Sequence, residues 1–535
     1  MAFLDTRGWR RCLSRLARDS GGFVARHVKS KTLPRLRLDL DFDVIIIGAG
    51  FGGLGAGESL LRSGVSSFAI YEQADSVGGT WRDNTYPGCA CDIPSHLYSL
   101  SFSLNPEWTR SYPAQPEIET YLEKTAIEFD LRPHLQFGRE VSELRWINDD
   151  DCWGVTFSDG VVVKAGSVIG ATGPLRRPAM PAIPGIDSFK GEVFHSARWR
   201  HDIDLAGKKV GVIGTGASAV QFVPEIAGAA RSVTIFQRTP PWVLPRDDRP
   251  SPQWRRSLYR KLPVLQRLHR WRIYFRQEML SLAFIGRGRI AQRLAERIKV
   301  AGRELIDASI SDPVEQQKFV PEFEPGCKRL LITNDWYPAL ARENVDVVTD
   351  SIEAISPVGV VAGGEVHEFD VLIAATGFAA TEFLAPLRIF GRNGEEITEH
   401  WRNGARTHMG MTVSGFPNLY LLAGPSTGLG HNSIVFMIEA QLRYVRGALN
   451  ELRRSGAVSL ELDDALETTT YDEMQRRLSK TVWTSGCGSW YRSDDGRVDT
   501  MWPGTTIEYW WRTRSFPRSD YRKDFGRFGG TPAGR

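Results

Sequence analysis

Two stretches of the chain carry one hydropathy pattern: a continuous apolar run, a glycine-rich turn, then a helix-period segment. In the first, DVIIIGAGFGG, residues 44–47 supply the run, AGESLLRSG the helix and FAIYEQ the next strand. A run apolar at every position, rather than alternating, suits a strand buried on both faces of a parallel sheet. In the second, KKVGVIGTGASA, the turn begins at Gly214 and SVTIFQ follows as the next strand. Between them, DCWGVTFSDGVVVKAGSVIGATG reads as short alternating strands ending in Ala171-Thr172-Gly173. A near copy, FDVLIAATGF, ends in Thr376-Gly377-Phe378, and the paired endings mark where the chain leaves one domain and returns to it. Residues 251–305 read as a helical excursion, with Trp254, Leu258, Leu262, Leu265, Leu268, Trp271 and Phe275 as apolar contacts. Further on, NLYLLAGPSTGLGHNS is a strand then a loop, and IVFMIEAQLRYV is a helix.

The pattern predicts an α/β fold with two Rossmann-like dinucleotide-binding domains and a helical excursion. The first domain is drawn from residues 41–178 and 370–535. The second is inserted at 179–369, with the excursion over about 246–315, and residues 1–40 form a basic, flexible extension. Gly48, Gly50 and Gly53 match G-x-G-x-x-G, and Gly214, Gly216 and Ala219, with Ser218 before the last, match G-x-G-x-x-A. Each turn brings a pyrophosphate onto a helix N-terminus. Glu72 stands 24 residues after Gly48, where a carboxylate accepts from ribose hydroxyls; Arg238, followed by Thr239, stands at the same offset from Gly214. A guanidinium there grips a 2′-phosphate, so the pair points to FAD in the first site and NADPH in the second. In the loop SVGGTWRDNTYPGCACD, Gly78-Gly79 admits close approach to a ligand, while Trp81 and Tyr86 offer flat surfaces for a ring. Taken alone, Asp92 reads as a turn cap and Lys328-Arg329 as a solvated turn.

The 535 residues are 42% hydrophobic and 24% charged, with no apolar run approaching the roughly 18 residues of a spanning helix. A net charge of +4 divides unevenly: +8 in residues 1–37, +11 in 251–305 and −15 in the rest. No nucleic-acid recognition motif accompanies the basic segments, which read as solvated faces or as a weak membrane-surface contact with anionic lipid. Cys12, Cys89, Cys91, Cys152, Cys327 and Cys487 contain no C-x-x-C, which favours reduced thiols and a cytoplasmic setting. His195 and His431 read as hydrogen-bonded structural groups, with no metal motif around them.

One further stretch identifies a family. FKGEVFHSARW fits the F-x-G-x-x-x-H-x-x-x-W fingerprint of the flavin-dependent Baeyer–Villiger monooxygenases through Phe189, Gly191, His195 and Trp199. GGTWRDNTYPGCACD, with Gly79, Thr80 and Trp81, resembles that family's second signature. The ATG segments, with Thr172, Gly173, Thr376 and Gly377, resemble its third feature. The resemblance covers about residues 40–515, and CGSWYRSDDGRVDTMWPGTT is most similar to the branch that includes 4-hydroxyacetophenone monooxygenases. Arg200 and Thr85 depart from the family pattern, which usually has Pro or Asp and Arg at these places. The resemblance implies that Arg329 is the catalytic arginine, with Asp92 as the carboxylate that modulates it. It further implies that Lys328 and Arg238 contact the NADPH 2′-phosphate, that Trp490 lies near the nicotinamide, and that His195 is a hinge. The implied activity runs on FAD, NADPH and O2, and turns a ketone into an ester or lactone through a C4a-peroxyflavin. N- or S-oxygenation is the alternative, against which Trp199 argues; an NADPH-dependent reductase would need a disulfide or an acceptor surface, for which the sequence offers no good candidate.

Overall fold

The computed structural model describes residues 33–286, 288–488, 491–493 and 495–526 and arranges them around two mainly parallel sheets. β1 (Phe42–Ile47) runs into α1 (Phe51–Arg62), and the chain returns as β2 (Phe68–Tyr71), parallel to β1. β3 (Leu135–Gln136) extends that edge. β4 (Val141–Ile147), β5 (Cys152–Phe157) and β6 (Val162–Gly170) form an antiparallel meander that lays β6 parallel to β1. The chain then crosses to a second sheet through β7 (Glu192–His195), β8 (Lys209–Ile213), α2 (Ala219–Ile226) and β9 (Ser232–Phe236).

A short parallel pair, β10 (Val243–Leu244) and β11 (Leu331–Ile332), brackets the helical excursion of α3 (Gln253–Lys261), α4 (Pro263–Ile285) and α5 (Arg289–Asp307). β12 (Val345–Val348) and β13 (Val371–Ala374) complete the second sheet, in the order β12-β9-β8-β13-β7. β14 (Arg388–Phe390) and β15 (Leu419–Leu421) return to the first sheet, whose order is β14-β4-β5-β6-β1-β2-β3 with β15 on β6. α6 (Ile434–Ser455) packs on α1 over one face of that sheet. Each sheet has its own core, and Tyr86 packs against both.

The structure departs from the sequence pattern at three places. Residues 371–374, expected to open the returning half of the first domain, lie in the second sheet between β8 and β7. Their VLIA side chains are all buried, and an all-apolar strand serves an interior slot in either sheet equally well. Residues 33–40, assigned to the flexible extension, are held in place: the Leu33 N–H donates to Gly64 O, Leu36 N–H to Asp43 Oδ1, and Arg37 Nη1 to Asp151 O. Residues 1–32, with Cys12, lie outside the described residues. In the excursion, Trp254, Leu262 and Leu268 face solvent, at 65%, 49% and 61% exposure, rather than making contacts. The inward face of α4 carries Gln266, Arg270, Tyr274, Gln277 and Ser281 instead. Arg270 Nη1 donates to the carbonyls of His96, Leu97 and Ser99, so a polar helix face satisfies a buried turn. No helix among the described residues is long and apolar enough to cross a membrane.

Candidate active site

At the end of β1, Gly48 adopts φ +102°, and a Cβ there would lie 2.6 Å from Ala171 O. A Cβ on Gly53 would lie 1.8 Å from Gly48 O, so the turn folds back onto α1 only with glycine at both places. Gly50 caps α1 without a side-chain hydrogen bond, which leaves the first N–H groups of the helix to a ligand. Gly79 (φ +54°) brings the following segment within about van der Waals distance of Gly50: its Cβ would stand 3.4 Å from Gly50 Cα. Glu72, just past β2, accepts from the Ala49 N–H at 2.9 Å and the Ala74 N–H at 3.1 Å, so its carboxylate is fixed beside the turn. β6 delivers Thr172 and Gly173 to the same place, since the Ala171 N–H donates to Ile47 O. Thr80 opens a one-turn helix that carries Trp81. Trp81 is buried and its Nε1 donates to Tyr98 Oη at 3.0 Å, so it supports the loop rather than offering an open ring surface.

The second sheet repeats the arrangement. Gly214 (φ +104°) would carry a Cβ 2.7 Å from Ala375 O, while Gly216 has only that oxygen near, at 3.7 Å. Ser218 caps α2 without a side-chain hydrogen bond to it, its Oγ lying 3.0 Å from Ser196 Oγ. Past β13, Thr376 Oγ1 donates to Ala179 O and Gly377 O accepts from the Ala179 N–H. Arg238 and Thr239 follow β9, and Lys328 Nζ donates to Thr239 Oγ1 at 2.5 Å. Burial, and then the Arg238 charge, lower the Lys328 pKa. Two cations thus share one side of this turn, an arrangement that an anion relieves.

Arg329 sits two residues before β11, which β10 anchors. Its Nε donates to Asp92 Oδ2 at 2.7 Å, and Nη2 lies 2.6 Å from the same oxygen. Nη1 points to Leu429 O at 3.4 Å. The Asp92 charge raises the Arg329 pKa further above its usual value, with burial opposing, so the guanidinium is a permanent cation. Arg329 and Asp92 nevertheless keep 28% and 26% of their side-chain surface exposed. Neither residue sits in a solvated turn or a cap of its own; the pair joins the 78–99 loop of the first domain to the second.

The fingerprint residues serve packing. Phe189 is buried, and a Cβ on Gly191 would collide with Asp370 O at 2.4 Å and with the Phe189 ring at 2.6 Å. His195 Nδ1 accepts from the Ala197 N–H at 3.0 Å, and burial lowers its pKa while the Gly377 backbone opposes. Trp199 packs on Phe194 and Phe222, with ring centroids 5.3 and 5.2 Å away. The two departures lie side by side: Thr85 Oγ1 bonds His201 Nε2 at 2.8 Å, and neighbouring Arg200 pairs with Asp202 and Glu192.

Sequence reasoning missed two features. On α2, Gln221 accepts from Tyr86 Oη and the Ala90 N–H and donates to Ala90 O, at 3.1–3.2 Å, joining the domains. A lone glutamine gives no signal of this. Cys327 and Cys487 form a disulfide, which corrects the expectation of reduced thiols throughout. Their separation of 160 residues hides the pairing from any local motif. Cys89, Cys91 and Cys152 are buried free thiols, and burial pushes Cys89 up to about 12, where it is inert. Trp490 lies outside the described residues. Among the described residues, no group of three or more His, Cys, Asp or Glu is placed to hold a metal.

A flavin-binding monooxygenase-like family model matches residues 42–262. A Baeyer–Villiger monooxygenase from Streptomyces coelicolor is 44% identical over 482 residues, which cover 90% of this chain and 92% of the relative. The chain belongs to the Baeyer–Villiger monooxygenases. An OTEMO complex with FAD and NADP resembles this monooxygenase with a TM-score of 0.81 at 27% identity, over 90% of this chain and 99% of that one. A cyclohexanone monooxygenase from Rhodococcus sp. Phi1 bound to NADP+ gives a TM-score of 0.81 at 28% identity, with the same coverage.

Proposed function

We propose that this Baeyer–Villiger monooxygenase holds FAD at the first glycine turn and NADPH at the second, and converts a ketone to an ester or lactone beside Arg329 and Asp92. The uncapped N-termini of α1 and α2 and the glycine cradles at Gly48 and Gly214 fit two pyrophosphates. Glu72 takes the FAD ribose hydroxyls, with Gly79, Thr80, Thr172 and Gly173 against the same cofactor. Gly216, Ser218, Thr376 and Gly377 line the NADPH side, where Arg238, Thr239 and Lys328 take the 2′-phosphate. Bound FAD supplies the redox chemistry, accepting hydride from NADPH and activating O2.

The observation that carries the reading is the Arg329–Asp92 pair. Asp92 occupies Nε and part of Nη2 through one oxygen, which leaves N–H donors on both Nη atoms. Those donors meet the negative charge that builds on the ketone oxygen as the carbonyl becomes tetrahedral. Asp92 holds the fork so that no reorganisation is needed when the charge appears. The test is Arg329→Ala in the FAD-loaded enzyme, run against cyclic, aryl and long-chain ketones plus sulfides, with products identified by mass. Flavin stays bound and ester formation falls about 100-fold or more. Arg329→Lys does not restore it, because a point charge lacks the planar fork. Ester formation at near the parent rate in Arg329→Ala overturns the assignment.

A further inference from the structure

We propose that Tyr491 and the Cys327–Cys487 disulfide form a redox-sensitive clasp that positions Arg329, an inference resting on the role given to Arg329 above. Cys327 is fully buried two residues before Arg329. Its partner, Cys487, stands four residues before Tyr491, and the bridge sets their Cα atoms 6.2 Å apart. Tyr491 is buried; burial raises the phenol's pKa and the Arg329 guanidinium opposes it, and Leu330, the residue after Arg329, packs against the core that holds the ring. The ring packs in a small core with Trp483, Val498 and Met501, against Ala283, Phe284 and Ile298 of the excursion.

The same C-terminal segment reaches Arg329 by a second route. Thr500 Oγ1 donates to Tyr491 O at 2.9 Å, and the Gly428 N–H donates to Thr500 O at 2.8 Å. The next carbonyl, Leu429 O, is the one that Arg329 Nη1 approaches. Beyond Asp92, then, every contact described for the guanidinium depends on the segment that the disulfide ties down. The bridge tethers it to the chain immediately before Arg329, so opening the bridge removes the one covalent tie between Tyr491's segment and that chain and leaves non-covalent contacts, packing and the Thr500 hydrogen bond among them, to hold Tyr491 in place.

Closing the bridge passes two electrons and one proton from each thiol to an oxidant, a small-molecule disulfide that leaves as its two thiols. A small dithiol reverses it: its thiolate attacks one sulfur to form a mixed disulfide, the other leaves as a thiolate and takes a proton, and the reductant's second thiolate then displaces the attacked cysteine, so the reductant ends as its own disulfide. Cys327–Cys487 is the one disulfide among the described residues, since Cys89, Cys91 and Cys152 are free.

The first arm is chemical. Protein purified without thiols, denatured and digested, should yield a linked peptide joining Cys327 to Cys487. Brief dithiol treatment of the folded, FAD-loaded enzyme should remove it and speed tryptic cleavage after Arg492 and Arg497. The second arm is kinetic. Reduction, Cys487→Ser and Tyr491→Phe should each lower kcat and the ester formed per NADPH oxidised by about fivefold, with FAD content and the NADPH KM unchanged. Tyr491→Phe keeps the bridge and so isolates the hydroxyl; should Cys487→Ser fail to fold, reduction of the parent replaces it. Absence of the linked peptide overturns the clasp. So does a linked peptide whose reduction, like Tyr491→Phe, leaves kcat and coupling unchanged, because the bridge is then only structural. Ester formation persisting in Arg329→Ala sinks the role of Arg329 instead, and shows without altering either cysteine.

Discussion

Lys328 and Arg238 are two cations from separate segments brought close together, and burial together with the Arg238 charge lowers the Lys328 pKa. Such a pair costs free energy unless an anion lies between them, which is what a 2′-phosphate provides. Arg238→Ala should raise the NADPH KM about tenfold or more, from the loss of a charge-assisted contact worth about 1.5–3 kcal/mol, with the NADH KM unchanged. Steady-state kinetics with both coenzymes decides it: equal losses mean that the arginine does not read the phosphate. Arg238 was legible because its offset from Gly214 repeats that of Glu72 from Gly48. Asp92 was not legible from local pattern, because its partner Arg329 is 237 residues away. A carboxylate in a glycine- and proline-rich loop is locally indistinguishable from a cap, and only the family resemblance linked the two.

At the scale of elements, each cofactor turn depends on a strand from elsewhere: β6 closes over Gly48 through Ala171, and β13 closes over Gly214 through Ala375. In Gly48→Ala, a Cβ 2.6 Å from a backbone oxygen combines with a φ of +102°, so the turn or β6 must shift. A strained backbone conformation alone costs about 1–3 kcal/mol, and the collision adds to it. The variant should purify with little or no flavin and a lowered Tm. Gly160→Ala, at φ +83° with nothing within 4 Å, should keep both its flavin and most of its stability. Flavin absorbance per chain and thermal melts check the pair; a fully yellow Gly48→Ala protein refutes the close approach. The ATG endings were visible in the sequence as a repeat. Their allocation to two different sheets was not, since strand pairing depends on partners distant along the chain.

Over the whole molecule, burial keeps His96 and His408 neutral, lowering them from 6.5 to about 3 and about 4. Below pH 6.5 the unfolded chain takes up protons that the folded chain refuses. Their contribution is therefore complete above that pH and is lost as pH falls towards the folded values. Each histidine contributes a slope of about 1.4 kcal/mol per pH unit in that window. His400 runs the other way: burial lowers its pKa, but the Glu467 hydrogen bond together with the charges of Glu467 and Glu395 outweighs that and raises it, which favours the fold below pH 6.5. Burial lowers His195 and His269 as well, so with four against one Tm should fall steadily from pH 6.5 to 4.5, and His408→Gln should flatten the decline. An unchanged slope in that variant removes His408 from the account.

The sequence by itself determined the two dinucleotide turns and the family. Those depend on spacings of a few dozen residues or fewer: three glycines around a tight turn, and one acid or one arginine at the end of the next strand. Such signals are local because a strand–turn–helix unit is built from neighbours along the chain. Apart from Asp92, which the family resemblance had already paired with it, only the tertiary structure decided what meets at Arg329. Asp92 arrives from the first domain, Leu429 from the loop after β15 and Tyr491 from the C-terminal segment. Gln221 likewise bonds the 86–90 loop, and Cys327 finds Cys487 across 160 residues. These partners are set by how the two sheets pack together, and hydrophobic packing is non-directional, so no residue pattern along the chain specifies them in advance.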